Sequence, residues 1–153
     1  GGWSFHTVSS LRTGFPLQIS QSTNNNSIFG YGSQRPSATG VSPVTSGSLE
    51  DRLNNYINPA AFSLSPRGTF GNLARVINMR GPGMANTDAS LFKNFGITEQ
   101  IKGQFRLEAL NATNTPLFYG PNVAYAPNSG SFGKITSQAN FSRQLQLALR
   151  FSF

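Results

Sequence analysis

The last eleven residues, Arg143-Gln144-Leu145-Gln146-Leu147-Ala148-Leu149-Arg150-Phe151-Ser152-Phe153, alternate strictly from Leu145 onward. Leu145, Leu147, Leu149, Phe151 and Phe153 share one parity; Gln144, Gln146, Ala148, Arg150 and Ser152 share the other. A period of two places these sets on opposite faces of a β-strand. Residues 103–111 repeat the pattern, with Phe105, Leu107 and Ala109 opposed to Gln104, Arg106, Glu108 and Leu110. Residues 86–95 give a third strand, with Ala89, Leu91 and Phe95 on its apolar parity, interrupted by Lys93. Residues 3–20 read as a long fourth strand carrying Trp3, Phe5, Leu11, Phe15, Leu17 and Ile19 on its odd positions. Pro16 lacks a ladder donor, so this strand is expected to bend or lose a partner near its far end.

The connections are unequal. Residues 96–102 suit a short hairpin turn. Residues 21–85 and 112–142 form two long connections, well beyond the roughly 12–15 residues common in compact soluble domains. Outer-membrane barrels combine short periplasmic turns with long extracellular loops. Running the last strand inward makes the others alternate outward, inward and outward. Both long connections then fall outside and the single short turn falls in the periplasm. Most strand charges, Arg12, Asp88, Arg106, Glu108 and Arg150, share the polar parity. Lys93 and Arg143 are exceptions near strand ends, where long side chains reach the headgroups. The pattern predicts an all-β fold: an antiparallel transmembrane β-barrel segment of about four strands with long extracellular loops. Four strands close no membrane barrel, since the smallest have about eight. An isolated segment is expected to be a curved open sheet with poorly packed loops.

Composition narrows the alternatives. Hydrophobic residues make up 37% and charged residues 11%, with 13 Phe and no Cys. Charged content is well below the roughly 25% usual in soluble domains, and Asn, Ser, Thr, Gln and Gly fill the gap. Without Cys there is no disulfide framework and no thiolate metal site. No stretch approaches the roughly 20 apolar residues of a membrane helix. The formal charge of +7 raises the question of nucleic acid. Arg35, Arg52, Arg67, Arg75 and Arg80 are spaced singly with no basic run, so no nucleic-acid partner is expected. The chain opens Gly1-Gly2-Trp3, without the charged region of a signal peptide.

Several segments, taken in order, resemble one family. They are Gly2-Trp3-Ser4-Phe5, Leu11-Arg12-Thr13-Gly14-Phe15-Pro16-Leu17, Asn58-Pro59-Ala60-Ala61-Phe62 and Gly68-Thr69-Phe70-Gly71-Asn72-Leu73-Ala74-Arg75. Arg80-Gly81-Pro82-Gly83, Leu91-Phe92-Lys93-Asn94-Phe95, Phe105-Arg106-Leu107-Glu108-Ala109-Leu110-Asn111 and Phe132-Gly133-Lys134-Ile135-Thr136 continue the series. Their order and spacing resemble the C-terminal barrel segment of TonB-dependent outer-membrane receptors of the Oar-like kind. The resemblance spans residues 1–153 and is weakest over 21–49. It implies a barrel of about 22 strands around a plug, in a bacterial outer membrane. It also implies that the plug and the TonB contact lie upstream of this piece. The implied role is uptake of an extracellular ligand, with outer-membrane lipid, lipopolysaccharide and the barrel-assembly machinery as partners. The alternatives are a soluble secreted β-sandwich that binds glycans, whose apolar faces meet in one core, and a small barrel formed by oligomerisation.

The candidate residues follow from this reading. Leu147, Leu149, Phe151 and Phe153 resemble the terminal signal read by the barrel-assembly machinery. Physically, an unpaired strand with one apolar face can add to a sheet edge. Asp88, Arg106, Glu108 and Arg150 are candidate lumen-facing ion-pair residues, with Asp88 and Glu108 expected to pair with Arg106 or Arg150. Tyr31, Tyr56, Arg67 and Arg75, in the longer loop, are candidate surface ligand contacts, since Arg pairs with phosphates and carboxylates. Phe29, Phe62 and Phe70 accompany them; such a loop must bury something to be ordered, so these aromatics are expected to pack it onto itself and onto lipopolysaccharide. His6 is the only histidine and lacks the companions a metal site requires. Glu50 and Asp51 are adjacent, so on an extended chain they point apart. No nucleophile–base pair is visible, so neither an enzymatic role nor a cofactor is expected.

Overall fold

The computed structural model describes residues 1–27, 30 and 32–153. In chain order the elements are β1 (Trp3–Arg12), β2 (Ser20–Gln21), β3 (Ser37–Ala38), α1 (Leu49–Asn54) and β4 (Phe62–Ser63). They continue with β5 (Met84–Gly96), β6 (Lys102–Leu110), β7 (Ala124–Tyr125) and β8 (Gln144–Ser152). The chain forms two compact units. One comprises Gly1–Thr13, Gly83–Leu117 and Gln138–Phe153; the other comprises Gly14–Pro82 and Phe118–Ser137.

The first unit is a four-stranded antiparallel sheet in the order β1-β5-β6-β8. Its strands contain 10, 13, 9 and 9 residues, close to the roughly 9–11 that a tilted strand needs to cross a bilayer. The pairing register carries the alternation across the whole sheet. Phe5, Leu91, Leu107 and Leu147 form one row, and Trp3, Lys93, Phe105 and Leu149 form the next row on that face. The opposite face carries the rows His6–Ser90–Glu108–Gln146 and Ser4–Phe92–Arg106–Ala148. A slip of one residue would exchange the faces, so the side-chain pattern and the pairing fix each other.

The apolar face is not covered. Phe5 is 66% exposed, and Leu145 and Leu147 are 67% exposed. A β-sandwich requires this face to meet a second apolar face; here Leu11, Leu91, Leu107 and Leu147 share no dry interior. The sheet is also open: β1 pairs only with β5 and β8 only with β6. Residues 97–101 make the expected short turn. The amides of Ile97 and Thr98 donate to the Ile101 carbonyl at 2.9 and 3.2 Å, while Thr98 Oγ1 accepts from the amide of Ile101 at 3.0 Å.

The first strand ends at Arg12, eight residues before its expected end at Ser20. Pro16 explains part of this, since it cannot donate to a ladder. The segment changes partner as well. The Leu17 amide donates to the Met79 carbonyl, and the Gly81 amide donates to Phe15, at 3.0 and 2.9 Å. Gly14 sits where a Cβ would meet the carbonyl oxygens of Gly81 and Pro82. Gly14→Ala is therefore expected to destabilise the second unit, to which Gly14, Gly81 and Pro82 belong, by about 1–3 kcal/mol through overpacking. A lowered protease threshold in residues 14–82, with the sheet intact, is the readout.

The second unit is built from both long connections and has its own core. Leu17, Ile19, Ile57, Ala61, Phe62, Leu73 and Ile77 come from the stretch between β1 and β5; Tyr125 and Phe132 come from the stretch between β6 and β8. Phe62, Tyr125 and Phe132 pack pairwise with ring centroids 5.2–5.8 Å apart, and the Tyr125 hydroxyl donates to the Phe62 carbonyl at 2.8 Å. β2 pairs in parallel with β7, tying the two connections together. The expectation of poorly packed loops is thus corrected.

Regular pairing is sparse in this unit, and side-chain amides take its place. Gln21 Oε1 accepts from the Ser65 amide at 2.8 Å, and Gln34 Oε1 accepts from the Asn25 amide at 2.7 Å. Asn26 accepts from the Gly68 amide and donates to the Thr69 carbonyl, both at 2.8 Å. Buried backbone groups need partners, and short polar side chains supply them where no ladder runs. The richness in Asn, Gln and Ser has this structural cause.

Candidate functional site

The apolar parity of the sheet has one charged member. Lys93 lies three residues before the end of β5, and its Nζ sits 4.9 Å from the centre of the Trp3 ring. The same ammonium donates to the Gly1 carbonyl at 2.8 Å. An indole beside a lysine at a strand end is the chemistry of a bilayer interface, where aromatic rings settle and lysines reach toward water. Arg143 precedes β8 by one residue, and its guanidinium donates to the Ala112 carbonyl at 3.3 Å. Both exceptions to the alternation therefore sit beyond the middle of the wall.

Leu147, Leu149 and Phe151 lie on the apolar face of β8, which is one free edge of the sheet. Phe153 follows that strand and is 94% exposed. An apolar strand with unpaired N–H and C=O groups along one side is a template for another strand.

On the polar face, Phe92 is flanked by Arg106 and His6. The Arg106 guanidinium lies 4.7 Å from its centroid, and His6 meets it edge-on at 5.4 Å. Arg106 Nη1 lies 3.5 Å from Glu108 Oε1, two positions along the same strand. Both partners are partly exposed, so this pair is worth only about 0.2–1 kcal/mol.

Asp88 does not join an arginine. Its Oδ1 accepts from the Asn111 amide at 2.8 Å and from Asn86 Nδ2 at 3.2 Å. Asn111 has φ 49°, and its side chain bonds Thr115 and the Phe141 carbonyl. The left-handed turn after β6 orients that amide toward Asp88, so the carboxylate serves the turn. Arg150 lies across from Gln104 and makes no ion pair among the described residues. It borders a hollow of about 470 Å³ at the hairpin end, with Asn94, Lys102, Gln104 and Ser152. Of the expected ion pairs, the geometry brings together Arg106 and Glu108 alone. Among the described residues no group of three acidic or histidine side chains could hold a metal.

In the second unit, Phe62 is buried, Tyr56 is half-buried and Phe70 is exposed; Phe29 and Tyr31 lie outside the described residues. Tyr56 borders a cleft of about 380 Å³ with Thr45, Arg52, Asn78, Met79 and Arg80. Its hydroxyl donates to the Arg80 carbonyl at 2.9 Å, and the Arg52 guanidinium lies 5.9 Å from its ring centre. Arg67 and Arg75 are exposed and do not line this cleft. Arg52 and Arg80 are the arginines near Tyr56, a proximity that sequence spacing does not reveal. Arg80 stands in a Gly-Pro-Gly context that reads as a turn, while Arg52 belongs to α1, too short to produce a helical period.

Glu50 and Asp51 fall in the first turn of α1, and not on an extended chain. Ser48 and Asp51 form a reciprocal capping box: Ser48 Oγ accepts from the Asp51 amide at 3.2 Å and the Ser48 amide donates to Asp51 Oδ2 at 3.1 Å, while Ser48 Oγ also donates to Asp51 Oδ2 at 2.6 Å. These bonds to Ser48 hold the Asp51 carboxyl below its usual range. A carboxyl lowered in the folded state contributes stability above its unfolded pKa and loses it as pH falls through the folded value. Acidification through and below the ordinary carboxylate range is therefore expected to loosen α1. Asp51→Asn should remove most of that pH dependence, as followed by amide hydrogen exchange at residues 49–54.

A family model described as an outer membrane beta barrel domain matches residues 1–146. The chain belongs to that family. No curated protein and no solved structure matches it. Strands of an outer-membrane barrel carry an apolar and a polar face; in this outer-membrane β-barrel domain the row Phe5–Leu91–Leu107–Leu147 is apolar and the row His6–Ser90–Glu108–Gln146 is polar. β1 and β8 are the two edges of the four-stranded sheet, which does not close on itself.

Proposed function

We propose that this barrel domain is the C-terminal wall of a TonB-dependent receptor that takes up an extracellular ligand. The observation carrying the proposal is the pairing of an amphipathic open sheet with one ordered unit made from both long connections. Both connections leave the sheet at the end opposite the 97–101 turn. A pore that only needs a wall gains little from a dedicated core in its loops; a receptor needs such a core to hold a surface still. The ordered series of motifs from Gly2-Trp3 to Phe132-Gly133-Lys134 supports the same reading.

In this proposal the apolar rows face lipid and the loop unit faces the cell exterior among lipopolysaccharide. Leu147, Leu149, Phe151 and Phe153 are offered to the assembly machinery, and TonB engages a region upstream. The domain performs no catalytic step. The test is uptake by cells carrying the full gene. Uptake that collapses when TonB is removed, with surface abundance unchanged, supports the proposal. Uptake that continues without TonB makes the protein a passive pore.

A further inference from the structure

The cleft beside Tyr56 lies wholly within the second unit. Its volume, about 380 Å³, falls in the lower part of the roughly 300–1,000 Å³ range of small-molecule sites. Two guanidinium groups, Arg52 and Arg80, border it, and no carboxylate does. Asp51, next to Arg52 in sequence, is engaged by Ser48. Neither arginine forms an ion pair among the described residues. Arg80 Nη1 donates to the Gly14 carbonyl at 2.9 Å, which fixes the head and leaves its other N–H groups available. The Tyr56 ring lies beside Arg52, and the Tyr56 hydroxyl ties that side of the cleft to the Arg80 backbone. Thr45 Oγ1 donates to the Asn55 carbonyl at 2.6 Å, so the facing wall is anchored too. The surrounding unit carries Arg35, Arg52, Arg67, Arg75, Arg80 and Lys134 against only Glu50 and Asp51, a field that draws anions inward.

We propose that this cleft binds an oxyanion, a phosphate or carboxylate group carried by a sugar-sized molecule, between Arg52 and Arg80. The Arg80 head, already held on the Gly14 carbonyl, loses little freedom on binding, so the charge-assisted bonds it forms are retained as affinity, and Arg52 adds a second charge. Tyr56 supplies the apolar floor for the body of the ligand, and Asn78 a neutral polar edge. The binding does not depend on TonB, so it stands or falls separately from the transport proposal.

The experiment uses the full-length protein in detergent, titrated calorimetrically with glucose 6-phosphate and citrate, and with glucose as the neutral control. Binding of at least one anion, weakening with salt, and no binding of glucose are expected. Arg52→Gln should lower anion affinity about tenfold or more. Arg67→Gln and Arg75→Gln, which do not border the cleft, should lower it by less than about twofold. Arg80→Gln, which also removes the bond to Gly14, is interpreted only beside Arg52→Gln. Retention of lipopolysaccharide in place of the small probes, lost on its dephosphorylation and in Arg52→Gln, supports the same site with a headgroup phosphate as its source. Undiminished binding in Arg52→Gln, or no binding of any of these anions, overturns the proposal.

Discussion

Leu107→Arg is expected to remove most of the assembled barrel from the membrane, whereas Ser90→Arg is expected to leave assembly near normal. Leu107 occupies the row Phe5–Leu91–Leu107–Leu147, near the middle of the strands and on the uncovered apolar face. An arginine at the lipid-facing midplane costs about 2–4 kcal/mol. Ser90 lies one residue from Leu91 but points the other way, in the row with His6, Glu108 and Gln146. An arginine there meets water and the Glu108 carboxylate. Leu107→Ala separates lipid from a protein core at the same position. In a packed core this truncation costs about 2–5 kcal/mol because a cavity remains. Against lipid the acyl chains fill the space, so only a small loss is expected. The gel shift between heated and unheated protein, with surface labelling, reads all three variants. Equal damage by Leu107→Arg and Ser90→Arg would refute the assignment of faces.

Phe62→Ala is the second large effect, and it falls on the other unit. Phe62 is 4% exposed and touches both Tyr125 and Phe132. Truncating a buried phenylalanine costs about 3–5 kcal/mol. Among the described residues this core holds nine buried hydrophobic side chains, so the loss is expected to disorder much of it. Cleavage by external protease should appear in both residues 14–82 and residues 118–137, because Tyr125 and Phe132 lose the same neighbour. The sheet should remain assembled and heat-modifiable. Protection of the second segment while the first is cut would mean that the two do not share a core.

Strict period-two alternation made the sheet legible in the sequence. It located β8, β6 and β5 to within two residues, and the sign of each face followed from Leu147, Leu107 and Leu91. The end of β1 was less legible, because Leu17 and Ile19 keep the alternation while their side chains turn into a different core. Periodicity reports which residues are apolar, not what they pack against. The loop core was not legible, since Ile57, Phe62, Leu73, Tyr125 and Phe132 come from distant stretches without regular spacing. Charge complementarity alone also misplaced Asp88. Its partner is the Asn111 backbone amide, and a residue list does not show where a backbone amide points.

The parallel pairing of Ser20–Gln21 with Ala124–Tyr125 has a consequence for engineering. Transplanting only one of these segments into a foreign scaffold would leave half an interior facing water. Donor and recipient are expected to exchange them successfully only as a matched pair, and natural variation in one should be answered by compensating variation in the other.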